Sequence, residues 1–444
     1  MLPSVKITRQ STIFLHYFRN AVLIGLFFIC LMPVSFAING TGVSANYFYL
    51  LFPFIFTLPG LKRRLIFRRD IALIVCFYLL MYLFHLPFDF FNSELGIFRR
   101  LGSFLIFIVP LSLAFIEFDS RDIYCFKMAI IFICLYLSFH KLLLYATLSL
   151  GYDGYYNYAI TNGGITMLPN TYFSDISTIT TLEYKRLLGS QRYGFILIFG
   201  FFIALLEPKL FFRTNVLLQR FSLSICIFLA CLLTFSRATI VSLVFVGIYF
   251  LWKQIYNYFD SILRINSLTR FKKRLIVFLS FSLLIALLLI FIYINRDSTV
   301  LYYYQTRFIE PFMFDSENSL FKRNTSEGFR IYLFSLVIDY VLSNPIFGSG
   351  FQGLASLYEQ FNGVASVHNQ YLDVILRVGI IGAIFWFFLL FRIFQFCKND
   401  RSLFYGFLGV IIFGLFHETF RLSYGSFIFG MLLSFSYVLT NSKK

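Results

Sequence analysis

Apolar runs of about 15 to 25 residues, separated by short clusters of Lys and Arg, recur along nearly the whole chain. A helix needs roughly 20 apolar residues to cross the hydrocarbon of a bilayer, and cytoplasmic loops collect Lys and Arg. Together these rules predict a topology. From Lys6, Arg9 and Arg19 the chain enters spans near 18–38 and 44–61 and returns to Lys62, Arg63, Arg64, Arg68 and Arg69. Spans near 70–88 and 99–117, joined outside by Asp89 and Glu94, return to Arg121 and Lys127. A span near 123–149 leads out to a polar loop, 150–188, and one near 193–206 returns to Lys209, Arg213 and Arg220.

Residues 221–252 are flanked by basic loops on both sides, the second holding Lys253, Arg264, Arg270, Lys272, Lys273 and Arg274. Both ends are therefore expected in the cytoplasm, which requires two short helices with a bend at Thr234-Phe235-Ser236-Arg237-Ala238-Thr239. Arg237 then falls at the outer mouth of a hairpin. A span near 275–294 leads to a large outer loop, 295–367; the next begins near Asn369 and returns to Arg392, Lys398 and Arg401, and spans near 403–418 and 422–440 finish the chain. The reading is a single all-α transmembrane domain over 1–444, with about twelve helices and both termini cytoplasmic. Residues 21–36, followed by Ala37, have features of a signal peptide, but the parity of the later spans requires them as an uncleaved first span.

Composition agrees. With 59% hydrophobic and 13% charged residues and a mean hydropathy of +0.78, the chain is too oily for a soluble globule. The net charge of +17 is spread over short clusters between apolar runs, which excludes a nucleic-acid stripe as its cause. The seven Cys lie in or beside apolar runs, so packing is expected of them, and neither a disulfide framework nor a zinc site.

Several polar residues stand out. An Arg in hydrocarbon costs about 2.5 to 3.5 kcal/mol, so Arg237 either snorkels to the interface or faces a cavity. Arg330 opens an apolar segment, 329–342, too short to span; a helix lying on the outer surface fits, its Arg serving as a lipid-headgroup anchor or as part of a site. His368 stands at the outer end of a span beside Asn369, with Asp373 about one turn on; packing and catalysis are both open to it, as to His16, His85, His140 and His417. Lys141, inside the fifth span, needs an internal ion pair or a snorkelled chain. Arg186, Arg192, Arg237 and Arg330 all fall on the outer side against the positive-inside bias, which calls for an anion. A pyrophosphate suits guanidinium forks, which bind phosphate oxygens bidentately and stay charged. No Asp-x-Asp or His/Asp cluster for a metal is seen, so no cofactor is expected.

Three strings, TFSRATIVSL (234–243), FRIYLF with NPIFGSGF (329–334 and 344–351) and VHNQYLDVILRVGIIG (367–382), resemble the Ser-Arg hairpin, the Arg-bearing loop helix and the His-Asn motif of the O-antigen ligase and polymerase superfamily. The resemblance implies a GT-C-like glycosyltransferase of the inner membrane that acts, without a metal, on undecaprenyl-pyrophosphate-linked oligosaccharide at the periplasmic face. It implies that Arg237 and Arg330 bind pyrophosphate and that His368 serves the acceptor hydroxyl. Asn369 and Tyr371 in the same motif, with Arg186 and Arg192, are the expected substrate-binding residues; Arg186-Leu187-Leu188-Gly189 matches the family pattern in part, lacking its Pro-Asn. A chain-length regulator is an expected partner and nucleic acid is not. The Phe-, Tyr- and Ile-rich divergence favours a polymerase, with the ligase as the alternative, since both share these motifs. A flippase would also want arginines in a cavity, but transporters commonly show internal repeats, and this chain shows one large asymmetric outer loop instead.

Overall fold

The computed structural model describes residues 35–38, 41–44, 68–92, 94–116, 118, 120–150, 193–207, 216–232, 234, 236–264, 326–354, 357, 367–420 and 423–441. Among these stand ten helices and one small hairpin. The hairpin pairs β1 (Ser35–Ile38) with β2 (Thr41–Ser44), antiparallel with Ile38 opposite Thr41. It corrects the helix expected up to residue 38: the intervening Asn39-Gly40 is the dipeptide that two-residue hairpin links favour, and it outweighs the apolar run before it. The rest of the spans expected near 18–38 and 44–61, that near 275–294, and the loop 150–188 with Arg186 and Arg192 lie outside the described residues.

The helices are α1 (Arg69–Asn92), α2 (Glu94–Leu113), α3 (Ser120–Leu150), α4 (Gly194–Leu206), α5 (Val216–Leu232), α6 (Arg237–Arg264), α7 (Ser326–Ser343), α8 (Gln370–Cys397), α9 (Arg401–Gly414) and α10 (Ser423–Asn441). Segments Arg69–Pro87, Arg121–Phe139 and Gln370–Cys397 are long and apolar enough to cross a membrane, and five shorter apolar helices accompany them. The bend expected at 234–239 falls between α5 and α6. Helix α6 runs twelve residues past Trp252, because Lys253–Arg264 contains neither Gly nor Pro to stop it, whatever its polarity.

The chain divides into two compact units, residues 240–335 and the remainder. In the larger unit α4 packs on α9, α5 and α3, α10 on α2 and α8, and α1 on α2 and α8. In the smaller unit, α6 turns Val244, Phe245, Ile248 and Trp252 outward while Ser242 is buried, the polarity of a helix whose solvent is lipid. This is a multi-pass helical membrane protein.

Charge is concentrated where the helices of the larger unit begin and end. At one end Lys127 forms ion pairs with Glu207 and Asp400, and Arg392 pairs with Asp70. Tyr437 donates to the same Asp70 carboxylate at 2.5 Å, under the Arg392 guanidinium 3.6 Å from its ring centre. The starts of α1, α3 and α9 and the finishes of α4, α8 and α10 therefore share this end, as helices of alternating direction must.

Deeper in the unit, α8 is interrupted. Gly379 takes φ 63°, ψ −173°, a conformation essentially confined to glycine. The glycine-rich segment 345–353 fills the gap that this opens. Ser349 N–H donates to Leu376 C=O (2.7 Å), Phe351 N–H to Arg377 C=O (2.9 Å) and Ile380 N–H to Pro345 C=O (2.8 Å), so loop backbone takes the place of the missing helix ladder. Two arginines grip the same segment. Arg100 donates to the carbonyls of Ser349 and Gly350. Arg377, 2% exposed, donates to Phe351 C=O (3.0 Å), Ser103 Oγ (2.6 Å) and the Asp373 carboxylate (2.7 Å). Phe351 is fully buried among Tyr78, Phe104 and Phe107.

Two expectations follow. A Cβ at Gly379 would stand 2.1 Å from the Ile346 carbonyl oxygen, so Gly379→Ala combines a forbidden backbone with a clash against main chain. It is expected to cost about 3 kcal/mol or more. Gly102→Ala, whose new Cβ meets nothing within 4 Å, is expected to be neutral or stabilising by about 0.5–1 kcal/mol. Thermal unfolding in detergent compares the pair, and equal midpoints would contradict this account. The second expectation concerns acid. Burial raises the Asp400 carboxyl, but Lys127 and hydrogen bonds from Ser402 and Leu403 outweigh it and hold it below its ordinary value. A carboxyl depressed in the folded state adds stability that is complete above its unfolded value, about 3.9, and is lost as pH falls through the folded one. The midpoint difference between wild type and Asp400→Asn is thus expected to be constant near neutrality and to shrink below about pH 4.

Candidate active site

Opposite the Lys127 end, four pieces of the larger unit converge: the α5–α6 turn and the starts of α4, α8 and α10. Each is shaped by local chemistry. In the turn, Thr234 folds its hydroxyl back to Cys231 C=O (2.7 Å) and ends α5. Ser236 then caps α6, its hydroxyl accepting from Thr239 N–H (3.4 Å), which makes Arg237 the first helical residue. The Ser-Arg dipeptide thus has a division of labour: Ser starts the helix, and Arg, half-buried with its Nε shielded from solvent, stands at the electropositive end.

The His-Asn dipeptide repeats the arrangement. Asn369 caps α8, its Oδ1 accepting from Tyr371 and Leu372 N–H at 3.0 Å each, while its Nδ2 donates to Leu415 C=O at 3.0 Å. His368, one residue earlier, has φ 55°, a left-handed conformation that costs a non-glycine residue about 1–3 kcal/mol and collects at functional sites. The next residues bolt this end of α8 to α9 and the α9–α10 turn. Gln370 Oε1 accepts from Thr419 and Phe420 N–H (2.9 and 3.0 Å), and Tyr371 donates to Ile411 C=O (2.6 Å). That turn carries His417, whose ring stands edge-on to His368 with centroids 5.5 Å apart.

Ring and backbone contacts link the two motifs. His417 packs on Phe413 (5.7 Å). At Gly194, which opens α4, a Cβ would meet Phe413 at 2.9 Å and Thr239 Oγ1 at 2.1 Å. The start of α6 and His368 therefore lie at one end of the unit, with Gly194, Phe413 and His417 between them. This end also gathers the N-termini of α4, α6 and α8, whose unpaired N–H groups and dipoles favour an anion.

Arg330 lies in the first turns of α7, half-buried, in the smaller unit. Lys141 is part of α3, but its side chain is outside the described residues. Sequence reasoning singled out neither His417 nor the loop-gripping Arg100 and Arg377. The last had a signal: Asp373 and Arg377 are four apart in an apolar helix, the spacing of an internal ion pair. His417 had none, because its partner lies 49 residues away across two helices.

Residues 222–387 match the family model described as O-antigen ligase. No curated protein matches the chain. The matched stretch runs through the Ser-Arg turn, α6, α7, the inserted loop and the front of α8, so it encloses all three of the motifs that carry the resemblance. That match supports the resemblance of this part of the chain to the O-antigen ligase/polymerase superfamily.

Proposed function

We propose that the protein is an O-antigen polymerase: it transfers a growing glycan from undecaprenyl pyrophosphate to the next lipid-linked repeat unit, at the periplasmic face of the inner membrane. The observation that carries this reading is that one family match encloses Arg237, Arg330 and His368 together. The charge pattern supports the sidedness. Lys127, Arg392 and Arg401 mark the end that the positive-inside bias assigns to the cytoplasm, and His368 lies at the opposite end.

In the proposed reaction the acceptor hydroxyl attacks the anomeric carbon while the bond from that carbon to the pyrophosphate oxygen breaks. The hydroxyl proton passes to the His368 imidazole, the side-chain type suited to taking up a proton near neutral pH. Lipid pyrophosphate departs, its charge met by Arg237 and Arg330, and by Arg186 and Arg192 where they reach it. Guanidinium forks and helix N-termini supply this stabilisation without a metal ion. Asn369, through its cap, and Tyr371, through Ile411, hold the imidazole's backbone, and both are proposed to contact the sugar substrate. A single displacement inverts the anomeric configuration. A ligase, which moves finished glycan to lipid A core, uses the same chemistry, and the family description favours it as the second reading.

His368→Ala is expected to lower elongation of purified lipid-pyrophosphate repeat unit by about 100-fold or more, with chelator present and protein still in the membrane. A deletion strain is expected to make lipopolysaccharide core carrying one repeat unit. Bare core in that strain would establish the ligase instead, retained stereochemistry would reject single displacement, and lost transport of repeat units would point to a flippase.

A further inference from the structure

The break in α8 divides a 28-residue helix into a front piece, 370–378, and a back piece that continues across the bundle. The front piece carries His368 and Asn369 at its tip and Arg377 at its root. We propose that Arg377 is a positioning residue for glycosyl transfer: by clamping segment 345–353 into the break, it fixes the direction of the front piece and so the place of His368. The inference rests on the function proposed above.

The geometry gives the argument in three steps. First, an unbroken helix would aim its own tip through its ladder, but at Gly379 the ladder is lost and the direction must be set from outside. Three backbone bonds from the loop do this, at Leu376, Arg377 and Ile380. Second, those bonds hold only while the loop is seated, and a segment with Gly348, Gly350, Phe351 and Gly353 all at positive φ has little conformational preference of its own. Its seat is Arg377. The guanidinium joins the loop (Phe351 C=O), helix α2 (Ser103 Oγ) and the front piece itself (Asp373), and the loop backbone lies so close over it that a Cβ at Gly353 would stand 2.5 Å from Cζ. Third, the tip of the front piece is already pinned, to the α9–α10 turn through Asn369 and Gln370 and to α9 through Tyr371, and a rod pinned at one end can still swing. Arg377 supplies the second point. The front piece is about 13 Å long, so a swing of about 5° about the pinned tip shifts its root by about 1 Å and tilts His368 with it, and errors of that size in the placement of a reacting group can cost on the order of 100-fold in rate.

Asp373 matches the charge and Arg100 shares the grip on the loop, so neither charge nor burial alone distinguishes Arg377 from a structural arginine. Kinetics does. Full-length purified protein carrying Arg377→Lys, which keeps the charge but loses the fork, or Ser103→Ala, which removes one anchor, is assayed for elongation of the lipid-pyrophosphate repeat unit well below its unfolding temperature. The expected result is a kcat lowered about 10- to 100-fold for Arg377→Lys and several-fold for Ser103→Ala, with KM for the donor within about twofold. Wild-type kcat in Arg377→Lys, or a rise in KM that accounts for the whole loss, would overturn the proposal. Should Arg377→Lys not fold, Ser103→Ala decides alone: unchanged kcat overturns it. His368→Ala run alongside separates the two levels, because an inactive His368→Ala with normal Arg377→Lys refutes only the positioning role, whereas an active His368→Ala refutes the proposed chemistry itself.

Discussion

A main-chain N–H or C=O inside a bilayer has no water to turn to, and each one left unpaired costs several kcal/mol. That constraint governs the most unusual feature of this fold. At Gly379 the backbone leaves the helix inside α8, the longest candidate membrane span among the described residues, and the groups that lose their ladder partners are taken up by segment 345–353. Glycine is needed where the two backbones meet: the positive φ at Gly348 and Gly379 and the contact between them leave no room for a side chain. The front of α8 and the His-Asn dipeptide at its tip depend on that exchange.

Charges obey the same economy of partners. Lys127 and Glu207 are buried and meet each other and Asp400; Arg377, almost wholly enclosed, meets Asp373, a hydroxyl and a carbonyl. Removing one member of such a set typically costs 3–5 kcal/mol, because the other is left charged and dry. A net charge of +17 is compatible with this interior because most Lys and Arg fall between the apolar runs.

Much of this was legible in the sequence. Run length and basic clusters located α1 to α4 and α8 to α10, and charge parity alone required the bend that separates α5 from α6. The Ser-Arg dipeptide read as part of a bend and the His-Asn dipeptide as the beginning of a span, and in the structure each opens a helix, with Ser236 and Asn369 as the caps. Long-range pairing was not legible. Arg100 meets the 349–350 carbonyls across some 250 residues, and His417 meets His368 across two helices, with no spacing rule to announce either. The hairpin at 35–44 was missed for another reason, since an apolar run masked a dipeptide signal only two residues long.

The seated loop also says what cannot move. Withdrawing segment 345–353 would break three main-chain hydrogen bonds at once and bare the Arg377 guanidinium, a penalty on the order of 10 kcal/mol, comparable to the entire folding free energy of a domain. Lids and gates work between states that differ by a few kcal/mol, so this stretch is a keystone. In the proposed reaction, the lipid-linked glycan then has to enter and leave around it.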